Sequence, residues 1–158
     1  VNAAYFETLF KVGNVLIMPL WLLLFFAPKS RWAEKLFASR YVLLLLAALY
    51  GMAVVPALGS NPQFLTALLN PTMSGVQMLL SSEGGASAGW IHYLCFDLFV
   101  ALEIRQRAQV RNHSFWWVSP VFFLVLMLGP LGWLIFELVS YALRTFSPRE
   151  AKVRSTIS

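Results

Sequence analysis

His92 and Asp97 carry the first chemical signal in this chain. They fall in the apolar run Ala88 to Ile104, which reads as a membrane-crossing helix with the Asp97 carboxylate near its middle. An acidic side chain at a bilayer midplane costs roughly 2.5 to 3.5 kcal/mol on insertion scales, so it faces a bundle interior, takes a partner and marks a site. The spacing from His92 to Asp97 is about 140° around a helix and about 7 to 8 Å along it. The two need not touch, but an imidazole and a carboxyl so placed can address two ends of a small reacting group as base and acid. They make no metal motif. His113, the other histidine, lies about 30 Å away by helical rise, which excludes one haem held by both. His92 alone could equally be a satisfied interhelical hydrogen-bonding group or a ligand to a chlorophyll magnesium.

Such residues need apolar elements to position them, and the composition supplies little else. The 158 residues are 59% hydrophobic, 15% aromatic and only 12% charged, with a mean hydropathy of +0.69. No soluble domain of this size hides that balance, so the composition is that of an integral membrane protein whose first partner is the lipid bilayer. The net charge of +5 comes from short basic clusters beside apolar spans, where lysine and arginine anchor helices to headgroups, and it points to no nucleic acid. The single cysteine, Cys95, lies in an apolar helix and reads as a small buried residue. Val12 to Ala27 has no small-residue cleavage site and precedes further spans, so it reads as a retained first helix.

Four segments reach spanning length or nearly so: about Phe6 to Phe26, Tyr41 to Gly59, Ala88 to Ile104 and Phe115 to Leu143. The fold class expected is all-α, a polytopic membrane protein with four transmembrane helices in one domain over 1–146 and a basic tail over 147–158. Pro19 and Pro56 should kink the first two helices, and Gly129-Pro130-Leu131-Gly132 should bend the long fourth. The 60–87 connection is too greasy for solvent: Phe64, Leu65, Leu68, Leu69, Val76 and Leu79 mix with Asn61, Asn70, Gln77 and Glu83. It reads as short helices in the interface, forming a lid, broken by Gly84-Gly85, with Ser87 as N-cap of the third span.

With four spans, both termini and the lid share one side, A; the 28–40 and 105–114 connections face side B. Side B holds Lys29, Arg31, Lys35, Arg40, Arg105, Arg107 and Arg111, and the positive-inside rule makes it cytoplasmic or stromal. The tail residues Arg144, Arg149, Lys152 and Arg154 pull the other way. Depth counted at about 1.5 Å per residue gathers Lys11, Asn14, His92, Asp97 and Glu137 in the side-A half beneath the lid, with Tyr50, Ser119 and Glu103 deeper. That is a pocket for a ligand drawn from the bilayer. Lys11 also suits snorkelling beside Glu7, and Glu137 suits an ion pair with Lys11. Trp90, Phe96 and Phe99 on the third span suit packing or a binding wall. No phosphate loop, nucleophile elbow or HExxH occurs.

Asn14 through Pro19 and Trp21, then Gly89-Trp90-Ile91-His92-Tyr93-Leu94-Cys95-Phe96-Asp97-Leu98-Phe99, then His113-Ser114, Ser119-Pro120 and Gly129-Pro130-Leu131-Gly132, resemble the ABA4-like family over nearly the whole chain. That family includes plant proteins required for neoxanthin formation. Members often continue past the D-L-F string into a Gly-Arg-Trp-like sequence, where this chain has Ala101-Leu102-Glu103. The resemblance implies a four-helix protein of a plastid membrane (thylakoid or envelope), or of a bacterial inner or photosynthetic membrane, associated with xanthophylls.

The expectation is therefore a carotenoid isomerase needing no cofactor, with carotenoid as substrate or bound pigment. Opening an epoxide to an allenic alcohol takes a proton from a polyene carbon and delivers one to the epoxide oxygen. His92 is the expected base and Asp97 the expected acid, with Asn14 orienting and Trp90, Phe96, Phe99 and Glu137 binding substrate. The alternative is a non-catalytic carotenoid- or chlorophyll-binding subunit of a larger photosynthetic membrane complex. A transporter is disfavoured by the lack of an inverted repeat or a continuous polar stripe.

Overall fold

The structure, a computed structural model, describes residues 2–39, 41–60 and 62–145, and among these it is all-helical. The order is α1 (Ala3–Phe26), α2 (Arg31–Ala38), α3 (Tyr41–Ser60), α4 (Pro62–Leu69), α5 (Met73–Ser81), α6 (Glu83–Val110), α7 (Phe115–Leu128) and α8 (Pro130–Thr145). Arg40, Asn61 and the 147–158 tail lie outside the described residues. Three helices, α1, α3 and α6, are long and apolar enough to cross a membrane. The chain forms two compact units, Val1–Phe99 and Val100–Ser158, that meet within α6.

In the first unit α1 starts at Asn2, whose side chain accepts from the Tyr5 N–H at 3.2 Å. It buries Phe6, Leu9, Gly13, Ile17, Trp21 and Leu24, a three-and-four spacing that keeps one face inward. Pro28 follows directly after its C-cap, Ala27. Inside α3, Pro56 has no N–H to offer the Met52 carbonyl one turn back. The Tyr5 hydroxyl donates to that carbonyl at 2.9 Å, so the break is satisfied from a neighbouring helix, as apolar surroundings require. Leu9, Leu49, Ala53, Ala88 and Ile91 pack α1, α3 and α6 together. The side-B connection contains α2, capped by Ser30 accepting from Ala33 at 3.1 Å and burying Ala33 and Phe37.

The lid is two short helices. Pro62 opens α4, and Thr72 caps α5 by accepting from the Gly75 N–H at 3.1 Å. Phe64, Ala67 and Leu79 pack on Phe6 and Ala57, while Leu65, Leu68, Leu69 and Met73 stay outside. The expectation that Gly84-Gly85 separate the lid from the next helix is not met, because α6 begins at Glu83. Ser82 caps it, accepting from the Gly85 N–H at 3.1 Å, and a side chain at Gly85 would collide with the Leu79 carbonyl. Ser87 is not an N-cap: it sits inside α6 and donates to the Phe6 carbonyl at 3.1 Å. With 28 residues, α6 is about 42 Å long, and Asp97 lies at its centre.

The second unit differs most from expectation. In place of one bent span over 115–143 there are two helices of 14 and 16 residues. Gly129, at φ 34°, supplies the positive dihedral that ends α7, and Pro130 starts α8 where its missing N–H is not needed. A Cβ on Gly132 would come within 2.5 Å of the Val125 backbone nitrogen, so the second helix turns back onto the first. Val118, Val121, Phe122 and Val125 of α7 are buried, as are Phe136 and Ser140 of α8.

Candidate functional site

A cavity of about 250 Å³ lies within the first unit. Its wall is Tyr50 and Val54 of α3, Phe64 and Leu68 of α4, Leu79 and Leu80 of α5, and Gly85, Ala88, Gly89 and His92 of α6. The two short helices α4 and α5 therefore supply part of its wall. Small residues on α6 create the space, since three of the four α6 wall positions are Gly or Ala. Leu68 and Leu80 on the rim are 51% and 55% exposed, so the cavity opens outward.

Only two polar side chains, Tyr50 and His92, stand on that wall. Their rings lie 5.4 Å apart, centroid to centroid, and the His92 ring is also 4.6 Å from Phe96. His92, Phe96 and Phe99 follow one another at helical spacing along a single outer face of α6, and the two phenylalanines are 57% and 48% exposed. Tyr50 was expected deeper than His92. The earlier start of α6 corrects this: His92 lies nine residues below Glu83 and Tyr50 ten below Ser60, so both sit about 14 Å from the lid end. An aromatic hydroxyl mid-way along an apolar span was the signal.

The other expected residues are distributed around this wall rather than on it. Asn14 accepts from the Trp90 indole N–H at 3.2 Å and donates to the Phe10 carbonyl at 2.8 Å, so it holds Trp90 in place. Asp97 is 4% exposed and absent from the cavity wall. One turn away Tyr93 donates a hydrogen bond to it. Its Oδ2 and the Trp21 Nε1 are buried without a hydrogen-bond partner, a state that is rare in native interiors.

Lys11 and Glu137 each pair with other residues. Lys11 pairs with Glu7 at 2.6 Å, one turn back on α1. Glu137 belongs to the second unit, accepting from Arg107 at 2.8 Å and from Arg111 at 3.2 Å. Arg107 also donates to Glu103 at 2.8 Å, and Arg111 donates to Ser140 at 2.7 Å. Among the described residues no group of three or more His, Cys, Asp or Glu is placed to hold a metal ion.

Among the described residues these features define an all-helical protein with three spanning-length helices and an outward-opening apolar cavity bearing one histidine and one tyrosine. The chain belongs to the ABA4-like family, whose model, described as ABA DEFICIENT 4-like, matches residues 8–136. It is similar to Protein ABA DEFICIENT 4, chloroplastic, of Arabidopsis thaliana, at 28% identity over 103 residues, which is 62% of this chain and 46% of that relative. The chain thus spans about half the length of the curated relative it matches. No solved structure matches. All the cavity residues fall inside the family match; Glu137 and Ser140 fall beyond it.

Proposed function

We propose that this protein binds one ring end of a xanthophyll in the lidded cavity and isomerises it by acid–base chemistry, in a plastid or bacterial photosynthetic membrane. The observation that carries the reading is the pairing of His92 and Tyr50 on an otherwise apolar wall. Small-molecule sites run from about 300 to 1,000 Å³, so a 250 Å³ cavity suits a single cyclic end group. The polyene chain then leaves through the open rim and lies along Phe96 and Phe99, with Trp90 held by Asn14 at the border.

The reaction balances without an oxidant or a reductant. His92 takes a proton from the polyene carbon next to the epoxide ring; the C–H electrons form the new cumulated double bond, the epoxide C–O bond breaks, and its oxygen accepts a proton. Tyr50, the other polar side chain on the wall, is the donor assigned first. Asp97 serves only if the ring reaches past Phe96 to its buried Oδ2. The proton on His92 returns to the donor through solvent or the hydroxyl product.

The test is incubation of the purified protein in lipid nanodiscs with an epoxy xanthophyll, followed by chromatographic separation of pigments. Formation of the allenic isomer, lost in His92→Gln, is the expected result. Pigment retained at fixed stoichiometry but recovered unchanged would reject the enzyme and favour the accessory-subunit reading.

A further inference from the structure

We infer that α7 and α8 form a re-entrant hairpin, entering and leaving the bilayer on the face where α6 ends. Ser140 decides the direction of α8. A continuous helix would carry residue 140 about 40 Å from residue 113, yet the Ser140 Oγ and the His113 Nε2 are 2.6 Å apart. Arg111, in the same α6–α7 connection, reaches Ser140 at 2.7 Å and Glu137 at 3.2 Å. The far end of α8 is therefore tied to the point at which α7 begins.

Length makes the same argument. Helices of 14 and 16 residues extend about 21 and 24 Å, short of the hydrocarbon thickness of about 30 Å. Their outer surface still demands an apolar medium: Trp116, Phe123, Met127, Leu131, Leu138 and Tyr141 are all exposed. The turn at Gly129-Pro130 has its ends closed in protein, the Gly129 N–H donating to Val125 at 2.8 Å and the Trp133 N–H to the Gly129 carbonyl at 3.3 Å. Non-helical backbone at membrane depth is tolerated where it is closed in protein in this way.

Charge supplies an independent check. With three crossings and a hairpin, the chain leaves α8 on the same face as the 28–40 and 105–114 connections. Arg144 then joins Lys29, Arg31, Lys35, Arg105, Arg107 and Arg111. The conflict that a four-span arrangement creates for the positive-inside rule disappears.

The experiment is cysteine accessibility in sealed vesicles, using full-length protein with Cys95→Ala and single cysteines at Ser39, Asn70, Leu128 or Thr145. Ser39→Cys and Asn70→Cys mark the two faces. A membrane-impermeant maleimide should label Thr145→Cys from the Ser39 side only and should leave Leu128→Cys unlabelled from both. Labelling of Thr145→Cys from the Asn70 side, or of Leu128→Cys from that side, would overturn the hairpin. All four sites are exposed loop or helix-surface positions.

Discussion

The Tyr5 hydroxyl donates to the Met52 carbonyl, the one that Pro56 leaves without a helical partner. Two helices are thereby joined at a defect in one of them. Tyr5→Phe should cost about 0.5 to 1.5 kcal/mol, the net worth of one such bond. In a Pro56→Ala background the helix regains its own N–H, and the same change should cost much less. Thermal melting of the four proteins of this cycle in detergent checks it.

Gly132 and Gly51 make opposite predictions. A Cβ at Gly132 meets the Val125 backbone at 2.5 Å, so Gly132→Ala should destabilise by about 1 to 3 kcal/mol through overpacking. At Gly51 nothing lies within 4 Å, and Gly51→Ala should be neutral or stabilising by up to about 1 kcal/mol through helix propensity. Melting midpoints in one detergent should fall for Gly132→Ala and hold or rise for Gly51→Ala.

His113 sets a pH dependence. Burial, then Arg111 and Arg144, push it below its ordinary value of 6.5, against the pull of Glu137. The unfolded chain takes up the proton first as pH falls, so the stability it contributes is whole above about pH 6.5 and is lost as pH drops toward the depressed native value. Chemical denaturation between pH 7.5 and 5, about the range in which an ordinary histidine titrates, should show this loss in the parent and a flatter profile in His113→Gln.

The two proton donors can be separated by substitution. If Tyr50 delivers the proton, Tyr50→Phe should lower conversion by about 10²- to 10⁴-fold, the usual worth of general acid–base catalysis. Asp97→Asn, which keeps an acceptor for Tyr93, should then cost less than about tenfold. The reverse order would move the acid to Asp97. Initial rates of xanthophyll conversion in nanodiscs give both values.

Much of this arrangement was legible in the residues. The spans at α1 and α3 follow from hydropathy alone, and the lid from a loop too apolar for water. The start of α6 was not legible, because Gly84-Gly85 reads as a break and Ser87 as a cap, although glycines are tolerated in tightly packed membrane helices. That five-residue error placed His92 too near the surface and hid Tyr50 as its neighbour. The reversal at Gly129 was missed for another reason: hydropathy runs unbroken from Phe115 to Leu143, so composition cannot tell a bend from a turn. Glu137's partners Arg107 and Arg111 lie some 30 positions back in the sequence, a pairing that hydropathy does not reveal.

The central claim is that the lidded cavity is where a xanthophyll end group sits. The most direct measurement is the pigment-to-protein ratio retained after nanodisc reconstitution with xanthophyll, in the parent and in Gly89→Phe. A side chain at Gly89 points into the cavity wall and meets only the flexible end of Leu80, at 3.1 Å, so the variant should fill the space while leaving His92 and Tyr50 unchanged. The account predicts that bound pigment is lost in Gly89→Phe. Retention at the parent ratio would contradict it.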